Sequence, residues 1–248
     1  MILAENLSLT YNQENASVLA LSDVSCKMEH GSSLAVIGPS GCGKSSLLFI
    51  MAGLIKPSSG KMMINGSEPD AVNPDTALIL QDYGLFPWKT VYENASLGLN
   101  IRGYKKNSQR EIVIPILEKL GLAEFVNSYP TQLSGGQRQR VAIARSLALK
   151  PKLLLMDEPL SSLDALTREN LQKFILDVWV NHSLSMVLVT HSIEEAVFLG
   201  SRILVMSDRP GRVIEIIENP LVGSEGYRQS PEYHGICSKL RQLLGVFN

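Results

Sequence analysis

The stretch Gly38-Pro39-Ser40-Gly41-Cys42-Gly43-Lys44-Ser45 decides the fold of this 248-residue chain. It has the form G-x-x-x-x-G-K-S, it directly follows the apolar run 33–37, and it directly precedes the helical pattern of residues 46–53. A strand, a glycine-rich turn and a helix in this order form a loop that surrounds phosphate groups. The sequence therefore predicts a binding site for a nucleoside triphosphate at residues 38–45.

The chemistry of this loop follows from its residue types. Glycines let successive backbone N–H groups point inward at phosphate oxygens, and the N-terminus of the following helix adds its positive end. We expect Lys44 to reach the terminal phosphates and the Ser45 hydroxyl to bind Mg²⁺. The candidate nucleotide contacts here are Gly38, Pro39, Ser40, Gly41, Cys42, Gly43, Lys44, Ser45 and Ser46.

The cysteines argue against a disulfide scaffold and against a cysteine zinc site. Cys26, Cys42 and Cys237 form no C-x-x-C pair, and this usage fits a reducing cytosolic compartment. Cys42 lies beside a predicted helix N-terminus, where the pKa of a thiol is lowered, so it is a candidate reactive thiol. The alternative is that a small side chain simply fills the loop.

Charge and hydropathy exclude two broad classes. The 23 Lys and Arg residues and the 24 Asp and Glu residues give a net charge of −1, whereas domains that bind nucleic acid through phosphates usually carry a clear basic excess. No run of about 18 apolar residues occurs, and the N-terminus lacks the pattern of a signal peptide. We therefore expect a cytosolic globular protein with no nucleic-acid partner and no membrane span of its own.

Outward from the loop, short apolar runs alternate with longer amphipathic stretches, which indicates an α/β domain. Nearly continuous apolar runs are typical of parallel strands that are covered on both faces. Four such runs predict a central parallel sheet: 33–37, 153–156, 186–189 and 203–206.

Two further parts complete the predicted core. Segments with alternating polarity and nearby turn residues predict a smaller antiparallel sheet. These segments are 2–11, 18–28, 61–65 and 76–80. Residues 91–149 look helical, with interruptions at Pro115 and Pro130, and predict a helical subdomain inserted between two strands of the core.

The chain divides into one composite domain and a short tail. We assign residues 1–219 to the domain, with the helical subdomain at about 88–150, and residues 220–248 to the tail. Ser230 at the N-cap is followed by proline and glutamate, which is a helix start signal. The apolar spacing after it predicts a final helix at about 230–246.

A second phosphate-related element is the apolar run 153–156 followed by Asp157 and Glu158. Adjacent residues of a strand point to opposite faces, so the two carboxylates can take different roles. We expect Asp157 to hold Mg²⁺, directly or through water, and Glu158 to polarise the water that attacks the γ-phosphate. Alone, this pattern also fits a strand that simply ends in a turn.

The motif Leu133-Ser134-Gly135-Gly136-Gln137 stands before another predicted helix. Ser134 can cap that helix and bond a phosphate, and the glycines permit close backbone approach. With this motif, the sequence resembles the ABC ATPases, whose signature reads Leu-Ser-Gly-Gly-Gln. The resemblance implies a P-loop NTPase (RecA-like) core with an antiparallel β subdomain and an inserted helical subdomain, and it implies ATP and Mg²⁺ as ligands.

Three more residues match positions of that family one by one. By resemblance, Tyr11 stacks on adenine, although a half-buried strand tyrosine is an equally ordinary interpretation. Gln81 matches the glutamine that touches Mg²⁺ and the attacking water. His191 matches the histidine that contacts the γ-phosphate and orients Glu158.

The resemblance also implies that the site is shared between two copies of the chain. In that family, the 38–45 loop of one subunit and the 134–137 motif of another close on the same ATP, so a homodimer has two complete sites. Asp164 matches the aspartate that contacts the opposite subunit. Ser162 stands where alanine is commoner, which is a mild departure from the family pattern.

Among ABC proteins, the sequence is similar to the ATPases of nitrate, sulfonate and taurine importers over about residues 1–217. The similar segments are 85–88, 90–94, 163–168 and 206–212. In such importers, the groove near Phe86 and Trp88 receives a short coupling helix of the membrane permease, and an extracytoplasmic solute-binding protein delivers the solute. The alternative is that these aromatic side chains pack between the two subdomains.

Other classes remain as alternatives. An ABC ATPase of DNA maintenance separates its phosphate loop and its signature by a long coiled coil, but here the gap is short and has no sustained heptads. A translation-factor ABC protein carries two cassettes, and this chain has one. A small-molecule phosphotransferase leaves the 134–137 motif and His191 unexplained.

Overall fold

The computed structural model describes residues 2–13, 16–69, 73–161, 163–182 and 184–245. The strands are β1 (Ile2–Gln13), β2 (Ala16–Met28), β3 (Ser33–Ile37), β4 (Ser59–Ile64), β5 (Thr76–Ile79), β6 (Leu153–Asp157), β7 (Ser185–Thr190), β8 (Arg202–Met206) and β9 (Val213–Glu218). The helices are α1 (Lys44–Met51), α2 (Val91–Ile101), α3 (Lys106–Lys119), α4 (Gly135–Ala148), α5 (Ala165–His182), α6 (Ile193–Leu199) and α7 (Pro231–Leu243).

The central sheet has six strands in the order β5-β6-β7-β3-β8-β9. The first five strands run parallel, and β9 pairs antiparallel with β8 at one edge. The four nearly continuous apolar runs are β3, β6, β7 and β8, so that prediction is confirmed. Strand β9 was not predicted, because an edge strand with exposed glutamates gives a weak apolar signal.

A second sheet has three antiparallel strands in the order β2-β1-β4. The alternating segments 2–11, 18–28 and 61–65 correspond to these strands, so the smaller sheet is confirmed. The fourth segment, 76–80, was placed wrongly. It forms β5, which pairs parallel with β6 in the central sheet. Alternating polarity indicates that one face of a strand is partly exposed, but it does not indicate which strand pairs with it.

The two faces of the central sheet belong to different cores. Leu154 and Met156 of β6 pack in a cluster with α2, α3 and α4, whereas Leu153 and Leu155 pack with α1 and the antiparallel sheet. This is the alternation expected of a strand covered on both faces. Continuing the alternation, the side chain at position 157 faces α1.

Helices α2, α3 and α4 lie between β5 and β6 in the chain; they pack on one another, and α4 packs on β5. Pro115 was expected to interrupt this region, but α3 continues through it. Val113 and Leu117 on either side of the proline are fully buried and hold both turns against the core. Pro130 instead begins a short 3-10 turn before α4.

The tail packs its helix on α6. Ser230 accepts a hydrogen bond from the N–H of Tyr233 and so caps α7, which begins at Pro231. Tyr233 Oη donates to the carbonyl of Glu194 (3.3 Å), and Arg241 Nη2 lies 2.6 Å from a Glu194 carboxylate oxygen. Residue 246, the end of the expected helix, lies outside the described residues. Within the described ranges, no helix is both long and apolar enough to cross a bilayer.

Candidate functional site

The candidate site lies at the carboxyl ends of four neighbouring strands. In spatial order β5-β6-β7-β3, these strands are followed by Gln81, Glu158, His191 and the 38–45 loop. The strands are parallel, so the residues that follow them all meet at one edge of the sheet. Ligands of open α/β sheets bind at this edge, outside the carboxyl ends of the strands.

The 38–45 loop connects the end of β3 to the start of α1. Gly43, the N-cap of α1, has φ of 106°, and a Cβ atom there would lie 2.7 Å from Leu21 Cδ2. Only glycine fits this position without strain. Lys44 is 5% exposed, and its Nζ donates to the carbonyls of Gly38 and Pro39, both at 2.8 Å. The ammonium group is thus held inside the turn of the loop.

Asp157 and Ser45 form the part of the site that fits Mg²⁺. Ser45 Oγ donates to Asp157 Oδ1 (3.0 Å), as expected from the face that position 157 takes. Burial raises the pKa of Asp157 above its ordinary value, and the Ser45 hydrogen bond opposes the rise. In phosphate sites Mg²⁺ takes one or two protein oxygens and completes its shell with phosphate and water. A carboxylate beside a hydroxyl at the phosphate loop fits that requirement.

Glu158 leaves the strand in a different direction from Asp157. Its φ of 46° is left-handed, which is unusual for a residue with a side chain, and its N–H donates to the carbonyl of Val189 (2.9 Å). Glu158 Oε2 lies 3.1 Å from His191 Nδ1 and accepts a longer bond from Gln81 Nε2 (3.5 Å). The structure therefore brings together the three side chains that the sequence placed around an attacking water.

Gln81 was also predicted to bind the metal. Among the hydrogen bonds of the described residues, its amide contacts Glu158 and not the Asp157–Ser45 pair. Its role as a metal ligand stays a prediction.

Tyr11 lies beside the loop, and Cys42 lies within it. Tyr11 is 38% exposed on β1, and its hydroxyl lies 3.0 Å from Ser46 Oγ on α1, so the ring stands next to the phosphate loop. Cys42 is buried, and burial raises the pKa of its thiol even though Lys44 opposes the rise. The expectation of a lowered pKa at Cys42 is therefore wrong, and a small side chain that fills the loop fits better. The reactivity of the thiol itself stays a prediction.

The 134–137 motif forms the N-terminal cap of α4. Gln137 N–H donates to Ser134 Oγ (3.2 Å), and Gln137 Oε1 accepts from Ser134 N–H (2.8 Å), which is a capping box. A Cβ atom on Gly136 would lie 2.7 Å from Leu163 Cδ2, so a larger residue here would require the Leu163 side chain to move. No hydrogen bond among the described residues joins this motif to the 38–45 loop.

Asp164 caps α5 and directly follows Leu163, the residue that packs on Gly136. Its Oδ1 accepts from Thr167 N–H (3.0 Å), and hydrogen bonds from Thr167 lower the pKa of Asp164. Arg168 Nε and Nη2 donate to the carbonyls of Leu160 (3.3 Å) and Leu163 (2.5 Å), which holds the backbone at these two residues. Ser162 lies outside the described residues.

The segment after Gln81 is organised by two side chains that the sequence analysis missed. Asn94 is fully buried on α2: its Nδ2 donates to the carbonyls of Phe86, Lys89 and Thr90, and its Oδ1 accepts from Phe86 N–H. Arg145 of α4 donates to the carbonyls of Tyr83 (2.7 Å) and Gly84 (2.6 Å). Polar residues at apolar positions of predicted helices were the available signal.

Arg209 is a further residue that the sequence analysis did not assign to the site. Its Nε donates to the carbonyl of Gly41 (3.2 Å), so a basic side chain from the 207–212 segment supports the outer side of the phosphate loop. The 206–212 segment was identified only through the resemblance to importer ATPases, with no role for Arg209. No local pattern tells which loop an exposed arginine contacts.

Comparison with known proteins gives consistent results. A family model described as ABC transporter matches residues 21–161. The taurine import ATP-binding protein TauB of Pseudomonas aeruginosa is 42% identical over 214 residues, which are 86% of this chain and 81% of that protein. The nitrate import ATP-binding protein NrtD of Synechocystis sp. is 37% identical over 247 residues, 96% of this chain and 93% of that protein.

The fold is also similar to that of solved structures. A dimeric ATP-binding cassette in a post-hydrolysis state, bound to ADP and Pi, matches with a TM-score of 0.80 and 31% identity. The match covers 88% of this chain and 98% of that one.

Proposed function

This chain belongs to the ABC transporter family, and on that premise we propose that it is the ATPase subunit of a binding-protein-dependent importer of a small solute. The family makes it an ATP-binding subunit and an ATPase. The relatives named as taurine and nitrate import proteins support the importer and a sulfonate-, nitrate- or taurine-like solute. The observation that carries the ATPase part of the proposal is the grouping of Glu158, His191 and Gln81 beside the phosphate loop.

We propose the following roles for these side chains. The N–H groups of the 38–45 loop and the ammonium of Lys44 bind the β- and γ-phosphates of ATP. Mg²⁺, held at Asp157 and Ser45, supplies charge neutralisation on the phosphates when bound. Glu158 accepts a proton from the attacking water, and His191 holds the Glu158 carboxylate in place through the 3.1 Å contact. Tyr11 stacks on the adenine.

The same proposal needs a second copy of the chain. Within one chain the 134–137 motif is held by its own capping box and has no hydrogen bond to the phosphate loop among the described residues. A helix N-terminus with an exposed serine suits a phosphate that comes from another molecule. The dimeric cassettes of similar structure support a homodimer in which each site combines the loop of one copy with the 134–137 motif and Asp164 of the other.

We propose that the permease docks at the 85–90 segment. Trp88 is 69% exposed and its ring contacts that of Phe86, with centroids 5.2 Å apart. An exposed tryptophan that contacts a half-buried phenylalanine, on a backbone fixed by Asn94, has the character of an interface anchor. We place the chain at the cytoplasmic face of the membrane, with the solute-binding protein acting on the other face, and copurification of a permease would test this placement.

The intervening helices disfavour the DNA-maintenance alternative. Between the phosphate loop and the 134–137 motif, the described residues hold α2, with 11 residues, and α3, with 14. Neither is long enough for a coiled-coil arm. We also propose residues 1–219 as the ATPase domain, 88–150 as its helical subdomain and the remainder as the tail.

The substitution Glu158→Gln tests the catalytic role. We expect the variant to bind ATP as the wild type does but to lose turnover by a factor on the order of 100 to 10,000, because general-base catalysis contributes that much. Without hydrolysis the ATP-bound dimer should persist, which size-exclusion chromatography with ATP measures.

Glu118→Gln is the matched control, since Glu118 is an exposed glutamate on α3. It should keep both turnover and the monomer–dimer behaviour of the wild type. Undiminished turnover in Glu158→Gln would exclude the proposed base.

A further inference from the structure

Helix α6 begins at Ile193, two residues after His191, and carries an unusual cap. Ser192 is the N-cap, and Glu195 stands three positions later, which is the spacing of a capping box. One half of the box is present, since Glu195 N–H donates to Ser192 Oγ (3.3 Å). This S-x-x-E spacing is a signal that the sequence analysis could have used.

The other half of the box passes through Thr190. In a simple box the Glu195 carboxylate would accept from Ser192 N–H, as Glu93 does from Thr90 N–H in α2. Here Ser192 N–H donates to Thr190 Oγ1 (3.0 Å), and Thr190 Oγ1 donates to Glu195 Oε2. The residues on both sides of His191 therefore belong to one closed ring of hydrogen bonds.

The cap of α6 also buries a carboxyl group, which a capping box does not require. The boxes of α2 and α4 are exposed, but Glu195 is 3% exposed, and its Oε1 has no hydrogen-bond partner among the described groups. Burying a carboxyl group without a full set of partners is unfavourable. Burial also raises the pKa of Glu195 to about 7, against the opposing effects of the Thr190 hydrogen bond and of the His191 and Arg168 charges. A helix cap alone does not explain a buried acid at this point.

His191 needs a fixed backbone because little packing holds its ring. Its side chain is 56% exposed, yet Nδ1 lies 3.1 Å from Glu158 Oε2. An exposed ring on a mobile turn would spend much of its time away from that carboxylate. The ring of bonds formed by Thr190, Ser192 and Glu195 restrains the turn from the buried side.

We propose that Glu195 and Thr190 are positioning residues for hydrolysis, which hold the turn at His191 so that its imidazole stays on Glu158. Neither residue touches the reacting atoms in this assignment. It rests on the roles proposed above for Glu158 and His191. It adds the hydrogen-bonded set of Thr190, Ser192 and Glu195 behind them, which is called the relay below.

Two pairs of substitutions test the relay in the full-length chain. Thr190→Val and Glu195→Met remove it while they roughly keep side-chain volume, and Thr190→Ser and Glu195→Gln keep a hydroxyl and an acceptor oxygen. We expect kcat to fall on the order of 100-fold in the first pair, as for a misplaced catalytic group, and by less than about threefold in the second. The Kd for ATP should stay within about twofold of the wild-type value in all four variants.

Ser33→Ala is the control for a general loss of stability. Ser33 is fully buried at the opposite end of β3, where its Oγ accepts from Ser201 N–H (2.8 Å). It should lower the thermal midpoint without lowering kcat. If Thr190→Val keeps wild-type kcat, or if Thr190→Ser loses as much as Thr190→Val, the relay is refuted.

Glu158→Gln and His191→Ala in the same assay separate the two proposals. If Glu158→Gln and His191→Ala both lose turnover while Thr190→Val and Glu195→Met keep a normal kcat, the relay is overturned and the proposed base stands. Normal turnover in Glu158→Gln would overturn the proposed base itself. If a variant at one of the two positions fails to fold, the two variants at the other position still compare a relay-breaking with a relay-keeping side chain.

Discussion

The carboxyl of Glu195 predicts how stability depends on pH at the scale of one residue. Burial raises its pKa from 4.5 to about 7, with Glu158 adding to the rise and His191 and Arg168 opposing it. Between these values the folded carboxyl keeps a proton that the unfolded carboxyl loses. Unfolding then releases a proton, so this group's contribution to stability is present at low pH and is lost as pH rises toward 7.

The comparison with Glu195→Gln isolates this contribution, because the amide does not titrate. We expect the unfolding free energy of the variant, measured relative to that of the wild type, to increase between about pH 5 and about pH 8. Asp157 also has a raised pKa but is present in both proteins, so its effect cancels. Urea denaturation at several pH values measures the difference, and a constant difference across this range would contradict the prediction.

Single residues also show where sequence reasoning stops. Lys44, Asp157 and Glu158 could be placed because each follows a strand or glycine pattern whose geometry fixes the side chain. Thr190 and Arg168 could not, because their partners are a carboxyl oxygen and backbone carbonyls that only the folded chain brings near. Residues proposed to touch the nucleotide can be recognised from their residue type and spacing, whereas the residues behind them can be recognised only from their contacts in the folded chain.

At the scale of elements, α2 is bound to the 86–90 segment through Asn94. Substitution of Asn94 by alanine leaves the N–H of Phe86 and up to three carbonyls without their partner. Unpaired buried polar groups cost about 1–3 kcal/mol each, and water can reach part of this segment, so we expect a loss of about 2–3 kcal/mol. Urea denaturation measures the loss, and trypsin should cleave after Lys89 faster than in the wild type.

Asn100→Ala is the matched control on the same helix. Asn100 is exposed, and its Oδ1 makes one long bond, 3.5 Å from Gln109 Nε2. It should change stability by less than about 0.5 kcal/mol and leave cleavage after Lys89 unchanged. Equal losses in the two variants would show that Asn94 does not organise the segment.

The elements were predicted with uneven success, and the reason is physical. Strands β3, β6, β7 and β8 are covered on both faces, so their apolar runs identify both their type and their sheet. In β5 only Ala77 and Ile79 are buried, so its sequence has the alternation of an antiparallel strand. Neighbours in a sheet are chosen by tertiary packing, which a local pattern does not contain.

At the scale of the whole molecule, the proposed dimer predicts complementation between two inactive variants. Lys44→Ala damages the phosphate-loop half of a site, and Ser134→Arg damages the half that a second copy supplies. A mixed dimer then holds one intact site and one doubly damaged site. An equal mixture should recover about a quarter of wild-type ATPase activity, because about half of the dimers are mixed and each has one working site.

A second mixture provides the control. Lys44→Ala and His191→Ala both damage the phosphate-loop half, so every mixed dimer lacks an intact site and the mixture should stay inactive. Recovery in both mixtures, or in neither, would contradict a site shared between copies. Steady-state ATPase rates of the single variants and the mixtures are the measurement.

The strand order of the central sheet also governs how the protein is made. The strand that presents the phosphate loop ends at Ile37, but its two neighbours begin at Ser185 and Arg202. At a synthesis rate of about 5–20 residues per second, the ribosome needs roughly 7 to 30 s to deliver the first of them. The antiparallel sheet can form in that interval, whereas the phosphate loop acquires its support only when translation is nearly complete. A nascent chain cut short before β7 therefore carries the whole loop sequence and has no strand on either side of β3 to shape it.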